Sequence, residues 1–425
     1  MNVIHYLREL VHLPYFAASL VIPVCLCFYY LKNENKATRN VWVIYSVLFA
    51  VALFIICDTV IMRIKHDQIY DFTAFYLYGK VAVSGHDYYS PENFHAVFNS
   101  LQLPLLDYSE FLVEIINVGF LYPPPTILLF TPLGFLSYHT ALIVWTIFNL
   151  LIAFGCVYLI YDLFFKTYNI KGLLLVTALF FLFPAVGETV NFSQTNFILL
   201  FLLLLMYKYS DNKFAGILLA LALFTKPYMI IFGLVFILRK QWKTVTYFIA
   251  SSATITIITF LLFGKQPFLS YVFNNPSRRL PVWAFSEGVN QSLHAVLLRL
   301  NFITVDRPLP YSIIASGIVL LTVFYVLYLV KRKLFNYMWI VLLLVGLLIY
   351  PGTLSHYAVL LLFIIFQLFD ERKRLGFNMY VNIMIVAVFY YFCSVSVFTC
   401  IYFLLVVTIF KSFTSLPNLS NDSGY

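Results

Sequence analysis

Residues 214–238 read FAGILLALALFTKPYMIIFGLVFIL, and they decide the fold class. The apolar residues run on without the strict alternation of a barrel strand, so the stretch reads as helix. At Lys226-Pro227 the helix must break, because proline removes a backbone donor and disfavours helix at the residue before it. The reading is a hairpin of two short helices, 214–225 and 227–238, with one cation at its apex.

The rest of the chain has the same character. Hydrophobic residues make up 62% of the 425 and charged residues 11%, where a soluble domain would carry about 25% charge. Mean hydropathy is +0.90. The expectation is an all-α integral membrane protein, a polytopic bundle forming a single transmembrane domain over residues 1–425. A net charge of +9 invites a nucleic-acid partner, but position argues against one. The lysines and arginines fall in short clusters between apolar runs: Lys32/Lys36/Arg39, Lys166/Lys171, Lys208/Lys213, Arg239/Lys240/Lys243, Lys331/Arg332/Lys333 and Arg372/Lys373/Arg374. That is the pattern that orients spans in a membrane.

Placing every cluster on the cytoplasmic side predicts spans near 14–31, 41–61, 138–162, 172–187, 194–207, 214–225, 227–238, 244–263, 311–330, 334–350, 357–369, 378–393 and 395–410. The expected number of membrane segments is about 11–13, several shorter than the roughly 17–25 residues of a full span. The amino terminus falls outside and the carboxyl-terminal tail inside. No cleavable signal, internal repeat or soluble domain is expected. Cys25, Cys27, Cys57, Cys156, Cys393 and Cys400 all lie in or beside apolar runs and read as packing residues, not a disulfide framework.

Opposite the basic clusters lie two large loops, 62–123 and 264–310, with shorter segments 188–193 and 351–356. Eleven of the 18 acidic residues fall on these segments or at an adjoining span end. The most polar part is 66–95, HDQIYDFTAFYLYGKVAVSGHDYYSPENFH. A carboxylate at a membrane surface beside an apolar bundle is costly to keep, which makes Asp71 the leading catalytic candidate, with His66, Asp67, His86 and Asp87 near it in sequence. Asp71 also stands where a helix cap belongs, and the two roles are compatible. The proline-broken stretch from Tyr122-Pro123-Pro124-Pro125 to Pro132-Leu133-Gly134 reads as a segment that dips into the bundle and returns.

Four further features converge on that side. Gln194 and Asn196 end an amide-rich run, Asn191 to Asn196, suited to sugar hydroxyls or to loop backbone. Lys226 either snorkels to the interface or meets an anionic phosphate. His356 caps a helix, carries a proton or orients a carboxylate. Arg278 and Arg279 place two cations where positive charge is otherwise scarce, which asks for an anionic lipid headgroup or substrate phosphate. No Walker motif, glycine-rich phosphate loop or nucleophile elbow occurs, so neither a soluble nucleotide donor nor a cofactor is expected.

The order of motifs resembles glycosyltransferase family 87. The elements are Asp71; Gly85-His86-Asp87-Tyr88-Tyr89; Tyr122-Pro123-Pro124 with Pro132-Leu133-Gly134; Trp145 and Asn149; Gln194-x-Asn196; Ala215-Gly216 leading to Lys226; Trp242; and Asn290-Gln291-Ser292-Leu293 ending in Arg299. The resemblance runs from about residue 66 to 360. It departs from the family pattern in carrying Ser193 where a glycine precedes Gln194, a single histidine at 356, and an extra span at 14–31. It implies a glycosyltransferase-C fold with extracytoplasmic loop helices, multi-pass in the cell membrane and acting in the cell envelope. The implied activity is a mannosyltransferase or similar hexosyl- or pentosyltransferase without a metal. It inverts the sugar as it moves from a polyprenyl-phosphate donor to a glycan or glycolipid acceptor on the extracytoplasmic side. Asp71 and His356 become the catalytic pair. Lys226, Gln194, Asn196, Tyr122, Arg278, Arg279, Asn290, Gln291 and Arg299 become the substrate-binding set. The competing reading is a transporter or flippase of lipid-linked sugars, which would usually show internal pseudo-symmetry.

Overall fold

The computed structural model describes residues 39–66, 70–101, 117–166, 169–273, 285–286, 288, 290–304, 308–370 and 397–414. The elements are helical, and one isolated bridge pairs Asn290 with Leu354. In order the helices are α1 (Arg39–His66), α2 (Tyr70–Val83), α3 (Pro91–Ser100), α4 (Ile127–Gly134), α5 (Tyr138–Ile160), α6 (Asn169–Leu182), α7 (Pro184–Asn191) and α8 (Asn196–Lys208). They continue as α9 (Phe214–Thr225), α10 (Gly233–Leu238), α11 (Trp242–Phe263), α12 (Gln266–Phe273), α13 (Leu293–Arg299), α14 (Pro308–Lys331), α15 (Phe335–Ile349), α16 (Leu361–Asp370) and α17 (Val397–Thr414).

Three helical stretches, Tyr138–Phe165, Trp242–Phe263 and Leu309–Lys331, are long and apolar enough to cross a membrane, and the bent pair Ile170–Leu182 and Pro184–Asn191 makes a fourth. Six shorter apolar helices accompany them, and together these fit a membrane protein. The expected 11–13 segments thus become, among the described residues, a few full-length helices around many short ones. The segments 14–31 and 378–393 lie outside the described residues.

Proline explains two of the breaks. The segment expected as one span at 172–187 bends by 61° between α6 and α7. There Phe183 is extended (φ −73°, ψ 123°) before Pro184. Lys226 is extended in the same way (φ −148°, ψ 120°) before Pro227, so the predicted hairpin forms. Both follow from the clash between a proline ring and a helical predecessor. Pro132 does not break its element; it sits inside α4, which leads on through Ser137 into α5.

Burial follows position in the bundle. Residues Tyr337 through Leu348 of α15 are all buried, as a helix apolar all round must be. By contrast α11 leaves Ile249, Ile257 and Leu261 exposed, and α14 leaves Leu309, Ile313, Leu321 and Phe324 exposed, which are faces suited to lipid. A second buried cluster, rich in Phe and Tyr, joins α2, α3, α4 and the start of α5, and Ile198 packs against both clusters. Glycines let α2 and α4 touch. A Cβ on Gly79 would sit 2.2 Å from the Phe130 carbonyl oxygen, and one on Gly134 2.3 Å from that of Gly79. The Lys80 ammonium then reaches the Gly134 carbonyl at 3.1 Å.

The basic and polar ends of the helices are separate. Asp162 binds Lys166 at 3.2 Å and Lys208 at 2.8 Å, and Asp211 binds Arg239 at 2.5 Å, where α8 ends and α10 runs out. The 13 residues of α8 carry the chain about 20 Å from that layer to Asn196. The 12 residues of α9 lift Lys226 about 18 Å. Beside it, α11 runs for 22 residues, or about 33 Å. Both start at the basic end, where Gly216 lies against Thr244 and Phe248 of α11. The Lys226 apex therefore stands about half-way along its long neighbour.

Candidate active site

The two buried clusters meet at one polar layer. Asp71 enters it from the first turn of α2, where a carboxylate also complements the helix dipole. The start of α2 is pinned to that of α5: the Thr73 and Tyr138 hydroxyls lie 2.8 Å apart, and Tyr76 OH donates to the Leu136 carbonyl at 3.1 Å. Gln194 Nε2 donates to Asp71 Oδ2 at 2.7 Å. Asp71 thus stands at a helix start and holds Gln194 at the same time.

Gln194 is delivered by a tight turn between α7 and α8. Its backbone N–H donates to the Thr189 carbonyl at 3.0 Å, and Ser193 N–H to that of Val190 at 3.0 Å. Ser193 has φ +52°, a left-handed conformation that disfavours side chains, and Trp145 Nε1 fixes its carbonyl at 2.7 Å. This is the position where the resemblance drawn from the sequence leads one to expect glycine. Ser193→Gly should therefore keep the fold and gain up to about 1 kcal/mol, read as a raised thermal midpoint in detergent. A lowered midpoint would show that the serine side chain holds the turn.

Asn196 Nδ2 donates to the His356 carbonyl at 3.2 Å and to Thr189 Oγ1 at 3.4 Å, and Thr189 Oγ1 donates to the same carbonyl at 3.3 Å. His356 therefore shares an end of the bundle with Gln194 and Asp71. Its ring lies against Phe192 and Tyr357, and its Nε2 is buried with no hydrogen-bond partner among the described residues. Beside it, Ser355 Oγ donates to Glu188 Oε2 at 2.8 Å, a second carboxylate in the layer.

Lys226 is 3% exposed. Its ammonium donates to the Tyr122 hydroxyl at 3.3 Å and also to that of Tyr357. Nζ stands 4.8 Å from both ring centroids, which adds cation–π attraction. Tyr357, which accepts from Lys226, packs against the His356 ring, so the cation and the imidazole share one partner. The snorkelling reading gives way to a buried cation held between two phenols.

Tyr122 owes its place to the loop before it. Its carbonyl accepts from Tyr89 OH at 2.6 Å, and Phe120 N–H donates to the Tyr88 carbonyl at 3.0 Å. Gly119 (φ +77°) makes this approach possible, since a Cβ there would meet the Tyr89 carbonyl at 3.1 Å. Burial, with Tyr88, Tyr271 and Asp87 adding to it, pushes the Tyr89 phenol up, so it remains a donor. Asp87, a neighbour of Asp71 in sequence, instead braces this turn by accepting from Tyr89 N–H at 3.0 Å and from Ser270 Oγ at 2.6 Å. His86 is exposed.

The structure thus brings together Asp71, Gln194, Asn196, Lys226, Tyr122 and His356. It uses Asn290, Gln291 and Arg299 as a strut. Gln291 N–H donates to the Thr353 carbonyl at 2.7 Å, Asn290 Nδ2 to that of Pro351 at 2.8 Å, and Arg299 Nη1 to that of Asn290 at 2.9 Å. These contacts hold the turn leading into His356. Arg278, Arg279 and Asp67 lie outside the described residues, as does the side chain of His66. The sequence reading missed Tyr357, which directly follows His356, and Glu188, counted among the acidic residues but not singled out. A phenol beside a helix break and a carboxylate inside an apolar run were the available signals.

No curated protein and no solved structure matches the chain. The sequence model of glycosyltransferase family 87 matches residues 120–354, more than half of the chain. Tyr122, Gln194, Asn196 and Lys226 fall inside the match, and Asp71 and His356 flank it. The chain therefore belongs to glycosyltransferase family 87.

Proposed function

We propose that this glycosyltransferase moves a sugar from a polyprenyl-phosphate donor to a glycan or glycolipid acceptor with inversion at the anomeric carbon. It works from the extracytoplasmic side of a cell membrane that it crosses many times in the manner of the glycosyltransferase-C fold. The observation that carries the reading is a buried ammonium between two phenols, in the layer where Gln194 holds the carboxylate of Asp71 at a helix start. A lysine so buried calls for an anion, and the phosphate of a lipid-linked donor supplies one. The acceptor hydroxyl attacks the anomeric carbon while the bond from that carbon to the phosphate oxygen breaks. Asp71 takes the hydroxyl proton, and Lys226 offsets the charge appearing on the departing polyprenyl phosphate. Gln194 holds the carboxylate through Oδ2, and His356 helps to orient acceptor or base. The sugar is mannose or a similar hexose or pentose.

The test uses purified protein in nanodiscs with radiolabelled polyprenyl-phosphate mannose, glucose or a pentose analogue, and a native membrane glycan and lipid extract as acceptor pool. Label should pass to an acceptor with inverted anomeric configuration. Label that stays on the polyprenyl phosphate while the lipid crosses a proteoliposome bilayer would replace the transferase reading with the transporter.

A further inference from the structure

The layer around Gln194 holds more polar atoms than the site described above uses. Asn149 on α5 is 6% exposed, and its Nδ2 donates to the Trp145 carbonyl at 3.1 Å. Trp145, Asn149 and Cys156 lie on one stripe of α5 by helical spacing. Trp145 Nε1 bonds the Ser193 carbonyl at 2.7 Å, and Cys156 Sγ the Phe197 carbonyl at 3.5 Å. Asn149 sits between those two anchors and is therefore turned toward residues 193–197.

The amide groups there share a pattern. Each nitrogen is committed to an acceptor: Asn149 to the Trp145 carbonyl, Gln194 to the Asp71 carboxylate, and Asn196 to the His356 carbonyl. These partners accept and cannot donate, which fixes each amide orientation. The three oxygens, Asn149 Oδ1, Gln194 Oε1 and Asn196 Oδ1, are buried with no hydrogen-bond partner among the described residues. Leaving such atoms unmet is costly. Carbonyl oxygens repel a phosphate. The Lys226 ammonium, bonded to Tyr357 next to the His356 that Asn196 holds, disfavours a second cation. What remains is a neutral group rich in donors, which is to say the hydroxyls of a sugar ring.

We infer that Asn149 is a specificity-determining residue of a sugar-hydroxyl subsite, presenting Oδ1 to the ligand alongside Gln194 Oε1 and Asn196 Oδ1. The inference rests on the lipid-linked donor reading. It divides the labour of the site: Lys226 reads the phosphate whatever it carries, and the amide oxygens read the sugar.

Two probes separate these roles, polyprenyl phosphate without a sugar and polyprenyl-phosphate mannose, titrated into protein in nanodiscs. Wild type should bind the sugar-bearing lipid more tightly. Asn149→Leu, close in shape but with no acceptor, should lose about tenfold of that discrimination while still binding the sugarless lipid. Asn149→Asp keeps acceptor oxygens but loses the donor to Trp145, and it should retain discrimination. Unchanged discrimination in Asn149→Leu would overturn the subsite. So would equal loss in both variants, since the amide would then matter only for its bond to the helix. Should Asn149→Leu fail to fold, Asn149→Asp decides alone. A wild type that binds neither lipid would sink the donor reading, and the subsite with it, whereas the other failures leave the donor reading standing.

Discussion

Asp71→Asn should fold as wild type and transfer sugar about 10²–10⁴-fold more slowly, the usual worth of a positioned general base. Asparagine keeps an oxygen for the Gln194 amide, which donates to Asp71 Oδ2 at 2.7 Å, so the layer keeps its geometry. It has no capacity to take the acceptor's proton. Single-turnover kinetics with preformed donor complex isolate the chemical step, and donor affinity should change little. Near-normal turnover in the purified variant would remove Asp71 from the chemistry, and Glu188, the buried-layer carboxylate bonded by Ser355, would become the next base to test.

The second large effect is expected at Lys226. Lys226→Met replaces the ammonium with an apolar chain of similar length, limiting the void that alanine would leave. Charge-assisted bonds to a desolvated anion contribute about 1.5–3 kcal/mol, so the variant should bind a polyprenyl-phosphate donor roughly 10- to 150-fold more weakly. Acceptor affinity should be spared. Lys226→Arg should recover part of the loss, because the fork is longer and the two phenols already fill the space around Nζ. Unchanged donor affinity in Lys226→Met would move the phosphate elsewhere, with Arg278 and Arg279 the next pair to mutate.

Much of this arrangement was legible in the sequence because its physics is local. The Lys226-Pro227 break needs only the clash between a proline ring and the preceding residue, and the extended backbone of Lys226 answers it. The same rule applies at Phe183-Pro184, where the apolar run continues through the proline and periodicity alone suggests one span. Asp71 stood out because carboxylates are rare beside apolar runs. The partners of these groups were harder to read. Tyr357 lies 131 residues from Lys226 in sequence and Gln194 lies 123 from Asp71, and nothing local encodes such pairings. Asn290 and Arg299 joined the expected substrate-binding set through the family resemblance; buried polar groups must also satisfy one another, and the hydrogen bonds by which these two brace the turn before His356 have no local signal in the sequence.

The half-height hairpin has a consequence for how the chain is made. Both of its ends belong to the basic end of the bundle, so Lys226 is carried about half-way along α11 and the chain then returns. Tyr122 has already emerged by then, but Tyr357 comes 131 residues later. At about 5–20 residues per second, synthesis takes roughly 7–26 seconds to cover that interval. During it the ammonium has one of its two phenols, inside an assembly that for most of that time lacks α15, a helix buried from Tyr337 through Leu348. The candidate active site therefore closes late, when the chain around residue 357 arrives. A truncation just before that point should leave an incompletely held charge of the kind that membrane quality control removes.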